Sequence, residues 1–299
     1  SHQGHAPRRK HPAMINPRIA VLTALALAAF AGNSLLCRAA LAHTGIDPAS
    51  FTTLRLLSGA VVLWLIVLMR GGARVGGGSW LSAGALFAYA AGFSFAYVHL
   101  PAAAGALILF GAVQITMIGH GIWSGERLSK AQITGLLLAC GGLLALLLPG
   151  LSAPPLASAL LMLGAGIAWG IYSLRGRTAG DPLKVTAGNF LRATPIALGL
   201  SLLLSGSATL DTAGILYAIL SGALASGVGY AIWYAALPAL KSTSAASLQL
   251  SVPVLAALGG IAFLGEAISV RLIISSAAVI GGIGLTVLAA TRSDARDSS

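Results

Sequence analysis

The chain alternates long apolar runs with short polar gaps. Charged and turn-forming residues leave ten runs, at 18–42, 49–69, 79–98, 102–123, 129–148, 154–173, 185–204, 212–235, 242–264 and 269–290. Each approaches the ~20 apolar residues that a helix needs to cross the hydrocarbon core of a bilayer. Backbone N–H and C=O groups in lipid must be satisfied within the segment, so such runs predict helices. The expected fold is an all-α integral membrane protein with ten transmembrane helices. The gaps are too short to hold a soluble domain.

Composition sharpens this reading. Of 299 residues, 57% are hydrophobic and only 8% charged, against roughly 25% charged in a soluble protein. The 38 glycines suit helices that must approach closely in lipid. Cys37 and Cys140 lie far apart in apolar runs and read as buried free thiols, with no ligand set or disulfide framework around them.

The net charge of +11 changes the picture only through its distribution. Fourteen of the 18 basic residues fall on the side of the termini: Arg8, Arg9, Lys10, Arg18, Arg70, Arg74, Arg127, Lys130, Arg175, Arg177, Lys184, Lys241, Arg292 and Arg296. Arg38, Arg55 and Arg271 fall on the other side, and Arg192 lies within the seventh run. This asymmetry predicts cytoplasmic termini and excludes a nucleic-acid-binding face. The setting expected is a bacterial inner membrane crossed many times. Residues 1–17 read as a hydrophilic tail, with Met14 a candidate start, and 291–299 as a second tail.

The two halves of the chain echo one another. A shift of 137 residues aligns Arg38 with Arg175, Arg55 with Arg192, Tyr97 with Tyr234, and Leu100-Pro101 with Leu237-Pro238. A shift of 140 then aligns Gly119 with Gly259, Gly125-Glu126 with Gly265-Glu266, and Gly141-Gly142 with Gly281-Gly282. The expected organisation is a first five-helix repeat at 18–148, a linker at 149–153 and a second repeat at 154–290. A five-crossing unit is odd-numbered, so its second copy is inverted, as in many alternating-access transporters.

At the junction of the fourth and fifth runs stand Gly125-Glu126-Arg127-Leu128, then Gln132, Gly135 and Gly141-Gly142. Gly265-Glu266-Ala267-Ile268, Gly281-Gly282 and Gly284 repeat that pattern, with Arg271 and Ser275 departing from it. In these features the sequence resembles the drug/metabolite transporter superfamily, in its ten-helix EamA-type branch. The resemblance implies export of amino acids or related metabolites, aromatic and neutral ones included, as in the YddG-like exporters.

Candidate substrate contacts follow from helical spacing. Tyr89, Phe93 and Tyr97 share one face of the third run, and Tyr230, Trp233 and Tyr234 cluster on the related eighth. Two such faces can line one cavity and hold an apolar or aromatic side chain. Alternatively they pack helix against helix or form an interfacial belt, as Trp80 and Trp123 do at helix ends. Pro253 breaks the ninth run and frees a backbone acceptor at Gln249. Gln114, Asn33 and Trp169 complete a candidate ring, although amides at this depth also bond helices together. Arg192 is a candidate for a substrate carboxylate or for snorkelling to the cytoplasmic face. Glu126 and Glu266 are expected to pair locally with Arg127 or Arg271, with gating as the alternative.

The seven acidic residues (Asp47, Glu126, Asp181, Asp211, Glu266, Asp294 and Asp297) all fall at helix ends, loops or tails. Proton-coupled carriers place ionisable groups inside the membrane, so facilitated diffusion or exchange is expected, with His120 the one candidate proton site. No HExxH, GxSxG or paired intramembrane carboxylates point to an enzyme. No cofactor or metal is implied. The partners expected are a small solute and the lipid bilayer, with the protein a monomer. A multidrug or nucleotide-sugar carrier of the same fold is the alternative.

Overall fold

A computed structural model describes residues 17–71, 77–150, 153–176, 179–240, 245 and 248–297, with side chains described up to residue 290. Arg8, Arg9, Lys10, Arg74, Arg177 and Lys241 lie outside the described residues, as do the side chains of Arg292 and Arg296. Every regular element described is helical. In chain order these are α1 (Pro17–His43), α2 (Pro48–Met69), α3 (Trp80–Tyr97), α4 (Ala102–Trp123), α5 (Lys130–Leu147), α6 (Leu156–Gly176) and α7 (Pro182–Leu203). α8 spans Thr212–Ala239, α9 Ser251–Leu264 and α10 Val270–Asp297. α10 runs past the expected end at 290 because no glycine or proline follows to stop it.

Local chemistry sets the boundaries. Asp47 and Asp181 each cap a helix whose first residue is proline, at α2 and α7. There the missing N–H costs nothing and the carboxylate accepts from the next free amides. Ser129 and Gln132 form a reciprocal capping box at α5. Gly265, at φ 64°, closes α9 in the left-handed conformation that glycine adopts without strain.

Seven of these helices are long and apolar enough to cross a membrane: α1, α2, α4, α5, α6, α8 and α10. α3 and α7 are as long but carry Tyr89, Ser94 and Tyr97, or Thr186 and Asn189, along buried faces, and α7 also carries the half-buried Arg192. In the ninth expected run, residues 245, 248 and 249 are helical, Leu250 is a turn, and the continuous helix starts at Ser251. Leucine and isoleucine side chains stand outward around the bundle, among them Leu137, Leu144, Leu160, Leu202 and Ile274. An apolar exterior of this kind needs lipid as its solvent. The protein is a multi-pass integral membrane protein.

Two ends of the bundle can be told apart by contacts. At the distal end, opposite the start of α1, Arg38 late in α1 reaches the end of α3 and Glu266 beyond α9. At the proximal end, Arg192 of α7 reaches Gly77 ahead of α3, and Arg175 of α6 reaches Ser79 and Ser82. Packing joins α2 to α7, α3 to α6 and α7, α4 to α6, α1 to α8 and α9, and α5 to α10. Where α5 crosses α10, a Cβ on Gly135 or on Gly282 would lie 2.4 Å from the other's carbonyl oxygen. Only small residues permit that approach. Cys140 sits off this stripe and is half-buried, unlike the fully buried Cys37; both are free thiols.

α8 departs from a regular helix. Leu220–Val228 forms a π-helical stretch between two α-helical segments. It presses Gly222 onto α2, where a Cβ would lie 2.0 Å from the Arg55 carbonyl oxygen. Hydrophobic periodicity does not register such a change in winding, and π-bulges recur at functional sites.

Candidate functional site

A cavity of about 500 Å³ lies among α1, α3, α4, α6, α7, α8 and the segment before α9. Its size falls within the usual range for small-molecule sites. The aromatic wall is continuous across both halves of the chain. Trp169 is its hub, 4.8 Å between centroids from Tyr89, 5.1 Å from Tyr172 and 5.6 Å from Tyr230. Tyr89 continues to Phe93 at 5.4 Å, and Tyr230 to Phe30 at 5.7 Å and to Tyr234 at 6.3 Å. Phe30 meets Trp233 edge-on at 5.8 Å. Such rings supply contact area and electron-rich faces with little loss of side-chain freedom.

Polar groups enter this wall at two places. Towards the distal end, Ser221 donates to the Asn33 side-chain oxygen at 2.6 Å, and the Asn33 amide donates to the Tyr89 hydroxyl at 3.4 Å. Towards the proximal end, Thr186 contacts the hydroxyls of Tyr234 at 3.2 Å and Tyr172 at 3.4 Å. Gln114 and Gln249 also line the cavity. None of its described lining residues is charged. Among the described residues, no cluster of His, Cys, Asp or Glu could hold a metal ion.

The cavity is asymmetric along the bundle. Its lining includes Gly180 between α6 and α7, and Leu240 and Ala245 between α8 and α9, all at the proximal end. It includes no residue from the distal connections. There the bundle is sealed by Arg38, whose Nε donates to Glu266 at 3.0 Å and whose Nη1 donates to the carbonyls of Tyr97 and Val98. Glu266 also accepts from the Ala102 backbone N–H at 2.8 Å. Also at the distal end, Asp47 exchanges two hydrogen bonds with Thr209, linking the α1–α2 and α7–α8 connections. Burial acts to raise the Asp47 pKa, but hydrogen bonds from Ser50, Thr209 and Ala49 outweigh it and hold the group below its ordinary value. A smaller cavity of about 310 Å³ at the distal end is walled mainly by alanines, prolines and leucines, with Glu266 and His99.

Of the residues singled out from the sequence, Asn33, Tyr89, Phe93, Gln114, Trp169, Tyr230, Trp233, Tyr234 and Gln249 all line the larger cavity. Tyr97 does not: it is fully buried beyond it, edge-on to Phe93. Pro253 sits in the first turn of α9, just past an irregular turn at Leu250. Arg192 is not part of the lining; its Nη1 donates to Gly77 and Gly188 carbonyls near the proximal end. Glu126 is exposed. The local pairing expected of Glu266 with Arg271 is not found. Glu266 pairs with Arg38, 228 residues away, while Arg271 donates to the Leu148 carbonyl. Phe30, Tyr172 and Thr186 escaped the sequence reading. Phe30 and Tyr172 lie one helical turn from Asn33 and Trp169, a spacing that could have found them.

Comparison with known proteins agrees with this architecture. The pattern of the EamA-like transporter family matches residues 156–288. The uncharacterized protein PA1977 of Pseudomonas aeruginosa is 59% identical over 273 residues, covering 91% of this chain and 95% of its own. A Streptantibioticus cattleyicolor protein named a probable terminal-alkyne amino-acid exporter is 29% identical, over 63% of this chain and 65% of its own. The threonine/homoserine exporter RhtA of Escherichia coli K12 is 30% identical, over 42% of this chain and 44% of its own. One solved crystal structure shares the fold, with a TM-score of 0.66 at 21% identity, over 91% of this chain and 98% of that one. These are transporters and not enzymes where their names state a role. A relative this similar over nearly its whole length, and the family pattern across the second half, mean that the chain belongs to the EamA-like transporter family.

Proposed function

We propose that this protein exports amino acids or closely related small metabolites by alternating access through the central cavity. The observation that carries the reading is a cavity walled by rings, amides and hydroxyls, sealed distally by the Arg38–Glu266 knot and reaching the proximal connections. A zwitterion with an apolar or aromatic side chain matches such a lining. The names borne by the relatives from S. cattleyicolor and E. coli support an amino-acid cargo.

An inverted pair of five-helix repeats supplies the mechanism. The packing pattern supports it. Exchanging each helix for its repeat mate turns the α3–α6 contact into α8–α1, α4–α6 into α9–α1 and α3–α7 into α8–α2, all of which occur. The mate of the Arg38–Glu266 pair is then Arg175 with Glu126. Those two are apart here, with Arg175 bonded to Ser82 and Ser79. The distal gate is closed and the proximal gate open. With cytoplasmic termini in a bacterial inner membrane, this is the inward-open state, ready to load cargo from the cell. One chain encloses the whole pathway, so the working unit is a monomer.

The test is counterflow in proteoliposomes loaded with an unlabelled amino acid, with labelled amino acid outside and a protonophore in a parallel arm. Saturable uptake that survives the protonophore is expected. Absence of counterflow with every amino acid, threonine and aromatic ones included, would overturn the cargo assignment.

A further inference from the structure

Among the described residues, the side chain of Arg55 has no acidic partner. It lies on α2 at 2% exposure, the largest fully buried side chain among those described. Its guanidinium carbon sits 4.8 Å from the centre of the Phe93 ring and 5.2 Å from that of Tyr89. Its Nη2 donates to the Tyr89 hydroxyl at 3.0 Å, while Nε and Nη1 have no hydrogen-bond partner. Among the described residues the ion pair is Arg38–Glu266, which uses the other arginine. A desolvated cation held only by ring faces and one phenol is costly to keep unless an anion joins it.

Tyr89 carries that positive charge to the cavity. Its oxygen accepts from Arg55 on one side and from the Asn33 amide on the other. Both partners are donors, so the phenolic proton is committed to neither. Tyr89, Asn33 and Phe93 all line the cavity. A phenol that accepts from a guanidinium becomes a stronger donor, because neighbouring hydrogen bonds polarise one another in a low-dielectric setting. The π-helical stretch of α8 reinforces the arrangement. Ser221 fixes the Asn33 side-chain oxygen, and Gly222 packs on the Arg55 backbone.

We propose that Arg55, acting through Tyr89, forms an anion site at the distal end of the cavity that takes the carboxylate of the transported molecule. This rests on the amino-acid reading above and narrows it: cargo must carry a free carboxylate, whose side chain then lies along Trp169 and Tyr230. Arg55 is a positioning residue, and Tyr89 the donor that touches the cargo.

The experiment uses the full chain in detergent and in proteoliposomes. Thermal stabilisation and counterflow competition are measured with L-amino acids, with the matching amino amides and amino alcohols, and with simple monocarboxylates. Acids are expected to compete at least 10-fold better than their amides. Arg55→Met should abolish that preference while leaving the unliganded melting temperature equal or higher, since an unpaired buried charge is removed. A merely structural arginine would lower it. Tyr89→Phe keeps the ring, removes the donor and should weaken acids about 10-fold while leaving amides unchanged. The site is overturned if amides compete as well as acids, if both variants keep the preference, or if no carboxylate binds. Monocarboxylate binding without amino-acid counterflow would leave the site standing and refute the amino-acid cargo; amino-acid counterflow without acid preference would do the reverse.

Discussion

Replacing Glu266 by glutamine removes one charge from the distal knot and leaves its shape nearly intact. The amide can still accept from Arg38 Nε or from the Ala102 N–H, which bond the carboxylate at 3.0 and 2.8 Å. What is lost is charge assistance in a pair whose side chains are 17% and 13% exposed. Fully exposed pairs contribute about 0–1 kcal/mol, and breaking a fully buried one costs about 3–5 kcal/mol. This pair lies between, so about 2 kcal/mol is expected, a shift of roughly 30-fold in the balance between closed and open distal states. A resting bias of about 100:1 would then fall to about 3:1, with roughly a quarter of molecules open. Spin labels at His43→Cys and Ala267→Cys, both exposed at the distal end, report that opening once Cys37 and Cys140 are changed to alanine. A second, longer distance should appear in Glu266→Gln and not in Glu126→Gln, whose target is proximal and exposed. An unchanged distance distribution in folded Glu266→Gln protein would refute the gate.

The proposed proximal gate makes a matching prediction. Glu126→Arg should reduce transport about 10-fold and Arg175→Glu should restore it in the double variant; additive losses would show that the two never meet. Gly222→Ala sets a Cβ 2.0 Å from the Arg55 carbonyl and 2.1 Å from Ser58 Oγ. Overpacking of that kind costs about 1–3 kcal/mol, so a lower melting temperature is expected, and an unchanged one would mean that the π stretch does not press on α2. Asp47→Ala removes a helix cap, for about 1 kcal/mol, together with the bond its carboxylate accepts from the Thr209 N–H; the bond from the Asp47 backbone N–H to the Thr209 carbonyl remains. The folded pKa of Asp47 is lowered, so its contribution is complete above the unfolded value of about 3.9 and fades as pH falls through the lower folded value. The stability gap between wild type and Asp47→Ala should therefore be constant from pH 5 to 8 and shrink only in stronger acid. A gap that closes near pH 6 would contradict this.

Much of the helical layout and of the aromatic wall is legible in the sequence. Length and apolarity mark the helices, and an i, i+4 spacing states which ring shares a face with which, so Tyr89 and Phe93 emerge together. Spacing does not state how deep the cavity runs along that face, which is why Tyr97 lies beyond it. Nor does it state which partner a charge finds across the bundle. Arg55 and Arg192 are equivalent by repeat position, yet one is buried behind Tyr89 and the other bonds to a connecting segment. Glu266 has Arg271 five residues away and pairs instead with Arg38, because the distal ends of α1, α3 and α9 converge there. The change of winding in α8 depends on close packing against α2, which leaves no periodic trace.

The charge distribution around the cavity bears on how transport is driven. Its described lining holds no carboxylate, lysine, arginine or histidine, and Arg55 stays with the protein whatever the cavity contains. Under the proposed exchange of gates, a zwitterion bound there moves no net charge, and no described lining group stands ready to carry a proton back. The membrane potential, worth about 2.3 kcal/mol per elementary charge at 100 mV, then has nothing to act on. Flux of a neutral amino acid should follow its own gradient and remain unchanged when a potassium diffusion potential of either sign is imposed on the proteoliposomes. An amino acid with an ionised acidic side chain, if carried at all, should respond to that potential. Acceleration of neutral amino-acid flux by potential alone would mean that a charged group moves with the gates. Arg55 would then be the first to examine, since it is buried on α2, the helix that packs against α7 of the other half.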